Sequence, residues 1–368
     1  MRILFTGGGS GGHVFPLVAV ARQLKKENAE LYFLGFGKYS DYLTKEGIKV
    51  TKILSGKLRR YFSVQNILDI FKFPLGIIQC LWYLLVYMPD VIFSKGGYDS
   101  MPVVLVGWLY RIPIVIHESD IVPGLANRIA GFFCQRIAVS FKVAESYFPA
   151  KKTALVGNPI RLEVVRKCLS SNPEDIEKAK QDFGIIGGKP IIFVFGGSQG
   201  AKKINDAILG LSQELLPKYE IIHQCGTKNH KEVKEWTDKM ITLKNYHLFP
   251  FLDEDQMANA YLLADLVVSR GGAGSIFEIA ACKKPSILIP LSQSAFDHQT
   301  GNSFEYARFG ATIVLEENNL TRNIFITQVS KVLNSTEVQD KLKKSAEQFS
   351  QLEAGQKIAQ SLVEIAKA

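Results

Sequence analysis

Three glycine turns in this sequence each follow a short apolar run, and each could hold an anion. The first, Gly7-Gly-Gly-Ser-Gly-Gly12, leads directly into His13. An imidazole placed against a backbone cradle of this kind is a candidate general base, although a lone histidine is often structural. The second, Gly196-Gly-Ser-Gln-Gly200, opens a helical pattern. N–H groups at a helix N-terminus suit a diphosphate, with the Ser198 hydroxyl as a further donor, and a plain tight turn would need the same glycines. The third, Ser269-Arg-Gly-Gly-Ala-Gly-Ser-Ile-Phe-Glu278, puts an acid in the first turns of a helix. That carboxylate could accept both hydroxyls of a ribose, while the helix dipole alone also favours an acid there. His117-Glu-Ser-Asp-Ile-Val-Pro-Gly124 adds two acids, Glu118 and Asp120, at the end of an apolar run, with Asp120 also suited to a turn or cap. Ser94-Lys-Gly-Gly-Tyr98 combines a cation and an aromatic, as an anionic acceptor site or a simple turn would.

Gly7-x-Gly9-x-x-Gly12 has the form of a dinucleotide fingerprint, but that fingerprint also needs an acid after the second strand to hold the ribose. The corresponding stretch, Leu34-Gly-Phe-Gly-Lys38, has none, which argues against a nicotinamide or flavin enzyme. Asp253-Glu-Asp255 has the spacing of a metal-binding pair but reads as a helix start, where acids are favoured. No metal and no resident cofactor is expected.

The elements that must position these residues are apolar runs alternating with helical patterns, the mark of an α/β chain with parallel sheets. Expected strands are Ile3–Thr6, Leu31–Leu34, Val91–Phe93, Ile114–His117 and Ile137–Ser140, then Ile191–Phe195, Ile221–Gln224, Leu266–Ser269 and Ile287–Pro290. Pro16, Pro102 and Pro173 are placed as first-turn helix prolines. The strand–glycine–helix opening at residue 3 recurs at residue 191, so the chain reads as two similar doubly wound domains. The boundary is expected near Gly157-Asn-Pro-Ile-Arg161, giving domains 1–160 and 161–344, with a C-terminal helix at about 345–368 packing back on the first. Ligands of such sheets bind beyond the carboxyl ends of the strands, here in a cleft between two facing domains.

The 368 residues suit two domains, and the charge is divided unevenly between them. Residues 1–160 hold 19 Lys and Arg against 10 Asp and Glu, a net of +9, while the remainder hold 25 of each. A basic field confined to one half attracts phosphates, nucleic acid or an anionic membrane. That half also holds an uncharged run, Phe73–Pro89, with Trp82, Tyr83 and Tyr87 inside it and Lys57, Arg59, Arg60 and Lys72 upstream. The run is shorter than the ~20 residues of a spanning helix. Pro74 and Gly76 should break it, and it reads as an interfacial patch or a buried core helix. The N-terminus has no signal-peptide pattern, and the five scattered cysteines argue against a disulfide framework or a zinc site and fit a reducing cytoplasm.

Taken in order, Gly-Gly-Ser-Gly-Gly-His13, Ser94-Lys-Gly-Gly-Tyr98, His117-Glu-Ser-Asp-x-x-Pro-Gly124, Gly157-Asn-Pro-x-Arg161, Gly196-Gly-Ser-Gln-Gly-Ala201 and the Ser269–Glu278 element resemble the MurG family. These are UDP-N-acetylglucosamine–N-acetylmuramyl-(pentapeptide) pyrophosphoryl-undecaprenol N-acetylglucosamine transferases. The resemblance implies a glycosyltransferase B fold, two Rossmann-like domains, and inverting transfer of N-acetylglucosamine from UDP-N-acetylglucosamine to lipid I, giving lipid II for peptidoglycan. It implies a peripheral enzyme at the cytoplasmic face of the bacterial membrane. Its partners would be UDP-N-acetylglucosamine, the lipid-linked acceptor and an anionic membrane surface, without nucleic acid. By motif, donor contacts would be Ser10, Gly11, Gly12, Asp120, Arg161, Ser198, Leu252, Ala273, Gly274, Ser275, Ile276, Phe277, Glu278 and Gln299, with His13 or Asp120 as catalytic base. Many members carry Glu-Gln-Asn where this chain has Glu118-Ser119-Asp120, so an acid replaces a neutral amide. Rival readings are another UDP-sugar-dependent glycolipid transferase, a UDP-N-acetylglucosamine epimerase on the same scaffold, and a non-catalytic membrane scaffold of the same fold.

Overall fold

The computed structural model describes residues 1–55, 72–197, 200–240, 244–292 and 297–368 in full, and the backbone of 64–71. Lys57, Arg59, Arg60, Ser198 and Gln199 lie outside the described residues. The chain forms two compact units, Met1–Arg161 with Gln351–Ala368, and Leu162–Ser350. Residues 345–350 lie in the second, at the end of the helix Thr336–Phe349.

The first unit is built on strands β1 (Arg2–Thr6), β2 (Glu30–Gly35), β3 (Lys49–Lys52), β4 (Val91–Ser94), β5 (Ile114–Glu118), β6 (Arg136–Val139) and β7 (Thr153–Leu155). Among the described residues they form one parallel sheet in the order β3-β2-β1-β4-β5-β6-β7. The second unit carries β8 (Ile191–Phe195), β9 (Glu220–Gln224), β10 (Tyr246–Phe249), β11 (Leu266–Ser269), β12 (Ser286–Leu288) and β13 (Ile313–Val314), in the order β10-β9-β8-β11-β12-β13. Each sheet reverses its strand order once, at β1/β4 and at β8/β11, and the loops beyond the carboxyl ends of those pairs are where such folds hold ligands. The glycine turns of the sequence sit at these two points.

All nine strands expected from apolar runs are present, and they are the inner strands of the two sheets. The four not anticipated, β3, β7, β10 and β13, are the four edges. An inner parallel strand is buried on both faces and reads as a near-continuous apolar run. The edges are half covered, and β3 (Lys-Val-Thr-Lys) is polar at both ends.

Two helices differ from expectation. Pro16 lies inside the helix Gly11–Leu24 rather than in its first turn, because the helix already starts at the glycines behind Ser10. A proline there has no N–H to give the carbonyl one turn back, that of Gly12. Pro74 and Gly76 do not break the uncharged run, since one helix, Val64–Tyr87, continues through both. Gly76 lets this helix approach the backbone of Leu54 more closely than any side chain would allow. Cys80 and Leu84 bury one face of it in the core, while Leu75, Ile78, Trp82, Leu85 and Val86 stay exposed on the other. Tyr83 and Tyr87 belong to the inner face: Tyr87 stacks on Tyr32 at 4.6 Å and its hydroxyl meets Thr51 Oγ1 at 2.6 Å.

The cysteines also require a correction. Cys168, ending the helix Leu162–Cys168, is disulfide-bonded to Cys282 at the end of the helix Ala273–Ala281, with Cα atoms 5.9 Å apart. The partners are 114 residues apart in sequence, so no local spacing announces the pair.

Candidate functional site

In the first unit the loops after β1 and β4 interlock. The Gly8 N–H donates to the Gly96 carbonyl at 2.9 Å, and the Lys95 N–H to the Thr6 carbonyl at 2.9 Å. Gly97 has a φ of +89°, and a Cβ on it would lie 2.9 Å from the Gly8 Cα. Glycine is therefore required at 97, both for its backbone angle and for space, while a Cβ on Gly8 would press on the His13 ring at 3.1 Å. Asp99, buried on the following turn, accepts from the Gly9 N–H at 3.3 Å and from the Ser55 hydroxyl. Asp99 was not among the expected site residues; its position two places after the Gly96-Gly97 pair was the available signal.

Ser10 caps the helix Gly11–Leu24 through its backbone: its carbonyl accepts from the His13 and Val14 N–H groups at 3.0 and 3.1 Å. Its Oγ lies 2.7 Å from His13 Nδ1. The half-buried ring of His13 covers Gly8 and directs Nε2 toward Gly97. The histidine is thus oriented on one nitrogen by a hydroxyl and turned by the other toward the β1/β4 switch point, as a proton acceptor needs. Gly11 is buried and Gly12 exposed at the same helix start.

The loop after β5 is organised by Glu118. This buried carboxylate accepts from the Asp120 N–H at 2.9 Å, the Gly124 N–H at 3.2 Å and Asn127 Nδ2 at 2.9 Å. Burial pushes its pKa up, and the neighbouring Asp120 charge adds to the rise. Glu118 is therefore occupied with its own loop and does not present a free acid; of the two acids expected to face a ligand, Asp120, half-buried, is the accessible one. Ser119 joins the Lys95 ammonium to Asn158 Oδ1, the latter at 3.0 Å. Buried His117 holds the Gly157 carbonyl at 2.9 Å through Nε2, and burial followed by the Lys95 charge keeps the ring well below its usual pKa. Gly157-Asn-Pro-Ile-Arg161 is thereby tied to β5. At its end the buried Arg161 guanidinium lies 4.9 Å from the ring centroid of Phe15, two residues beyond His13. Ser10, Gly11, Gly12 and His13 thus share one helix start, Arg161 lies against Phe15 of the same helix, and Asp120 is on the loop after β5.

In the second unit Gly272 is the N-cap of the helix Ala273–Ala281 and, being a glycine, has no side chain to cap it. Its first N–H groups are left for a ligand or solvent. Gly274 and Ser275 are partly exposed, while Ala273, Ile276 and Phe277 are buried and hold the helix in place. Glu278, largely buried, is the sixth residue of this helix, on the same face as Gly274 and Ser275. Gln299, in the helix His298–Arg308, accepts from the Leu291 N–H at 3.1 Å, and Asn302 of that helix donates to the Gly271 carbonyl at 3.3 Å. Leu252 is buried, and its N–H donates to Gln224 Oε1 at 3.1 Å, so its side chain is core and its backbone marks the loop after β10. Asp253, next to it, forms a capping box with Gln256 at the start of the helix Glu254–Leu263.

A cluster missed from the sequence lies beside these glycines. Arg270, at the end of β11, donates to the Ile289 carbonyl at 3.0 Å and pairs with Glu317 at 2.6 Å, which Lys203 and Ser292 also hold. Burial would raise the Glu317 carboxyl, but hydrogen bonds from Lys203, Arg270 and Ser292 keep it below its ordinary value. The members are far apart in sequence, and only the Arg270 position within a glycine turn pointed to it.

Residues 3–139 match the glycosyltransferase family 28 N-terminal domain, and residues 191–362 match the family 28 C-terminal domain. A UDP-N-acetylglucosamine–N-acetylmuramyl-(pentapeptide) pyrophosphoryl-undecaprenol N-acetylglucosamine transferase of Bacillus anthracis is 39% identical over 339 residues, covering 91% of this chain and 92% of its own length. The chain belongs to this transferase family. A second member, from Bacillus cereus, is 37% identical over 366 residues, 99% of each chain. The crystal structure of MurG from Acinetobacter baumannii superposes with a TM-score of 0.74 at 24% identity, over 99% of both chains. A UDP-N-acetylglucosamine 2-epimerase from Neisseria meningitidis reaches 0.68 at 16% identity, covering 99% of this chain and 100% of its own. These likenesses place the family's two parallel sheets in the glycosyltransferase B fold.

Proposed function

We propose that this protein transfers N-acetylglucosamine from UDP-N-acetylglucosamine to undecaprenyl-diphospho-N-acetylmuramoyl-pentapeptide, lipid I, with inversion at the anomeric carbon, to give lipid II for peptidoglycan. The observation that carries the reading is the 39% identity to a transferase named for this reaction, over nine-tenths of both chains. The local geometry supports it. In the first unit, His13 or Asp120 takes the proton from the attacking acceptor hydroxyl, with Ser10 orienting His13. Arg161, fixed on Phe15, and the N–H groups at Gly11 and Gly12 meet developing diphosphate charge. In the second unit, Ala273–Phe277 offer the uncapped helix start, Glu278 accepts from the ribose, and Ser198, Leu252 and Gln299 supply the remaining donor contacts. The first unit is thus the acceptor and membrane-associating domain and the second the donor domain. Neither a metal nor a resident cofactor has a part in this scheme.

The acceptor carries a lipid, so the first unit also docks on the membrane. No helix among the described residues is long and apolar enough to cross a bilayer. Three neighbouring helices of this unit instead expose large apolar side chains: Ile78, Trp82 and Leu85 from Val64–Tyr87, Trp108 and Leu109 from Met101–Leu109, and Phe132 from Leu125–Phe133. With the +9 charge of residues 1–160, this supports a peripheral association with the anionic cytoplasmic face of the bacterial membrane. Incubation with UDP-N-acetylglucosamine and a lipid I analogue tests the reading. The expected product carries one added N-acetylglucosamine with UDP released in equal amount; a 2-epimerised sugar nucleotide, or no product with folded protein, refutes it.

A further inference from the structure

The carboxylate of Glu317 joins the loops that follow four adjacent strands of the second sheet, β8, β11, β12 and β13. Glu317 itself stands in a short turn just beyond β13, with only 2% of its side chain exposed. Its Oε1 lies 2.6 Å from Nη1 of Arg270, which directly follows β11. Its Oε2 is 3.0 Å from Lys203 Nζ, on the helix behind the glycine turn after β8. The same oxygen accepts from the Ser292 hydroxyl, in the loop after β12, at 2.9 Å. Arg270 Nη1 also donates to the Ile289 carbonyl, just past β12, at 3.0 Å. Burial acts to raise the Glu317 carboxyl, but the hydrogen bonds from Lys203, Arg270 and Ser292 prevail, so the group is charged at neutral pH.

These loops carry the residues assigned above to the donor. Arg270 adjoins Gly271, where an added Cβ would lie 2.4 Å from the Gln299 carbonyl oxygen. The third glycine turn therefore presses on the helix His298–Arg308. Ser292 adjoins Leu291, whose N–H donates to Gln299 Oε1 at 3.1 Å. Lys203 lies in the first turn of the helix Lys202–Gly210. Compared with apolar packing, a buried ion pair adds little net stability. What this one fixes is geometry, because Arg270, Lys203 and Ser292 must each keep their place for one carboxylate to satisfy them all.

We propose that Glu317 is a positioning residue for the sugar nucleotide. Its carboxylate, shared by Arg270, Lys203 and Ser292, holds the glycine turns after β8 and β11 and the loop before Gln299 in one binding arrangement. The inference rests on the UDP-N-acetylglucosamine site proposed for the second unit. Glu317 does not touch the ligand in this scheme. It acts through the turns, which then meet the diphosphate and ribose without having to be ordered by them. The sign of the effect separates positioning from simple charge. Glu317→Gln leaves the Arg270 and Lys203 cations without their counter-charge, so by Coulomb attraction alone an anionic nucleotide would bind more tightly. By positioning it binds less tightly, because the turns lose the group that aligns them. A merely structural carboxylate would lower the melting temperature and leave the affinity of the folded protein as it was.

Calorimetric titration with UDP, well below the melting temperature of each variant, reads the difference. The parent should bind UDP; a folded parent that does not refutes the donor site itself, and the inference falls with it. With parent binding in hand, Glu317→Gln should weaken it about tenfold, within the range over which members of one hydrogen-bonded network couple. Ser292→Ala changes no charge and should weaken it about threefold. Equal or tighter binding by folded Glu317→Gln overturns the positioning role while leaving the donor site in place. Should Glu317→Gln fail to fold, Ser292→Ala decides: weakened binding supports the proposal, and unchanged binding overturns it.

Discussion

Replacing Trp82 and Phe132 together by serine is the sharpest perturbation of the membrane-docking surface. Trp82 is 66% exposed and Phe132 84%, and they stand on two of three neighbouring helices. An aromatic side chain carries about 150–250 Å² of surface, so roughly 130 Å² on each is open to lipid. At about 25 cal/mol per Å², full insertion would contribute about 3 kcal/mol apiece. A surface-lying helix inserts its apolar face only as far as the headgroup boundary, so about a third of that, or about 2 kcal/mol for the pair, is the working figure. The double variant should then bind anionic vesicles about 30-fold more weakly. Co-sedimentation with liposomes of graded anionic content measures this. Parent binding should rise with anionic lipid and fall with salt, because the basic residues of the first unit act through a screened field. Neither side chain is part of the core, so the variant should melt like the parent. A folded double variant that binds vesicles within twofold of the parent refutes the docking argument.

Other consequences can be checked independently. Glu278→Ala should weaken UDP binding by about 1–3 kcal/mol, the cost of losing a hydrogen bond to a charged group, and unchanged affinity by calorimetry would count against a ribose contact. His13→Ala and Asp120→Ala each test the base, whose removal should slow turnover by about 10²–10⁴-fold; near-normal turnover in both would exclude the pair. The proposed scheme routes no step through a metal ion, so activity should survive dialysis against a chelator. Loss restored by magnesium or manganese would contradict this. The Cys168–Cys282 bond closes 114 residues, for which chain-entropy reasoning gives about 4–5 kcal/mol. Cys282→Ser should lower the urea midpoint under non-reducing conditions, and a parent indifferent to reductant would show the bond to be dispensable.

What the sequence revealed and what it withheld follow from burial. The inner strands are buried on both faces and were readable as near-continuous apolar runs, whereas edges such as Lys49–Lys52 face water and look like loops. Glycine turns were legible because Gly8 and Gly97 approach too closely for any side chain. Pro16 and Pro74 misled because tertiary packing holds a helix through a proline that would end an isolated one. The role of Glu118 was hidden because three N–H groups from its own loop and from Asn127 converge on it only once the chain has turned. Likewise, the stacking of Arg161 on Phe15 and the Arg270–Glu317–Lys203 cluster join residues that no local spacing connects.

The last helix, Ala354–Lys367, lays Ile358, Ala359, Leu362 and Ile365 into the same core as Ile3, Phe5, Leu17 and Val91. The first unit therefore depends on residues that follow the whole of the second unit in the chain. During synthesis its sheet must wait, one face uncovered, while the whole of Leu162–Ser350 is made and can close as a contiguous piece. The order of completion is the reverse of the order of translation. A nonsense codon within Ala354–Lys367 would injure the first unit, and a chain cut near Arg161 would yield one fragment holding the whole of the second unit and another lacking the helix that covers its sheet.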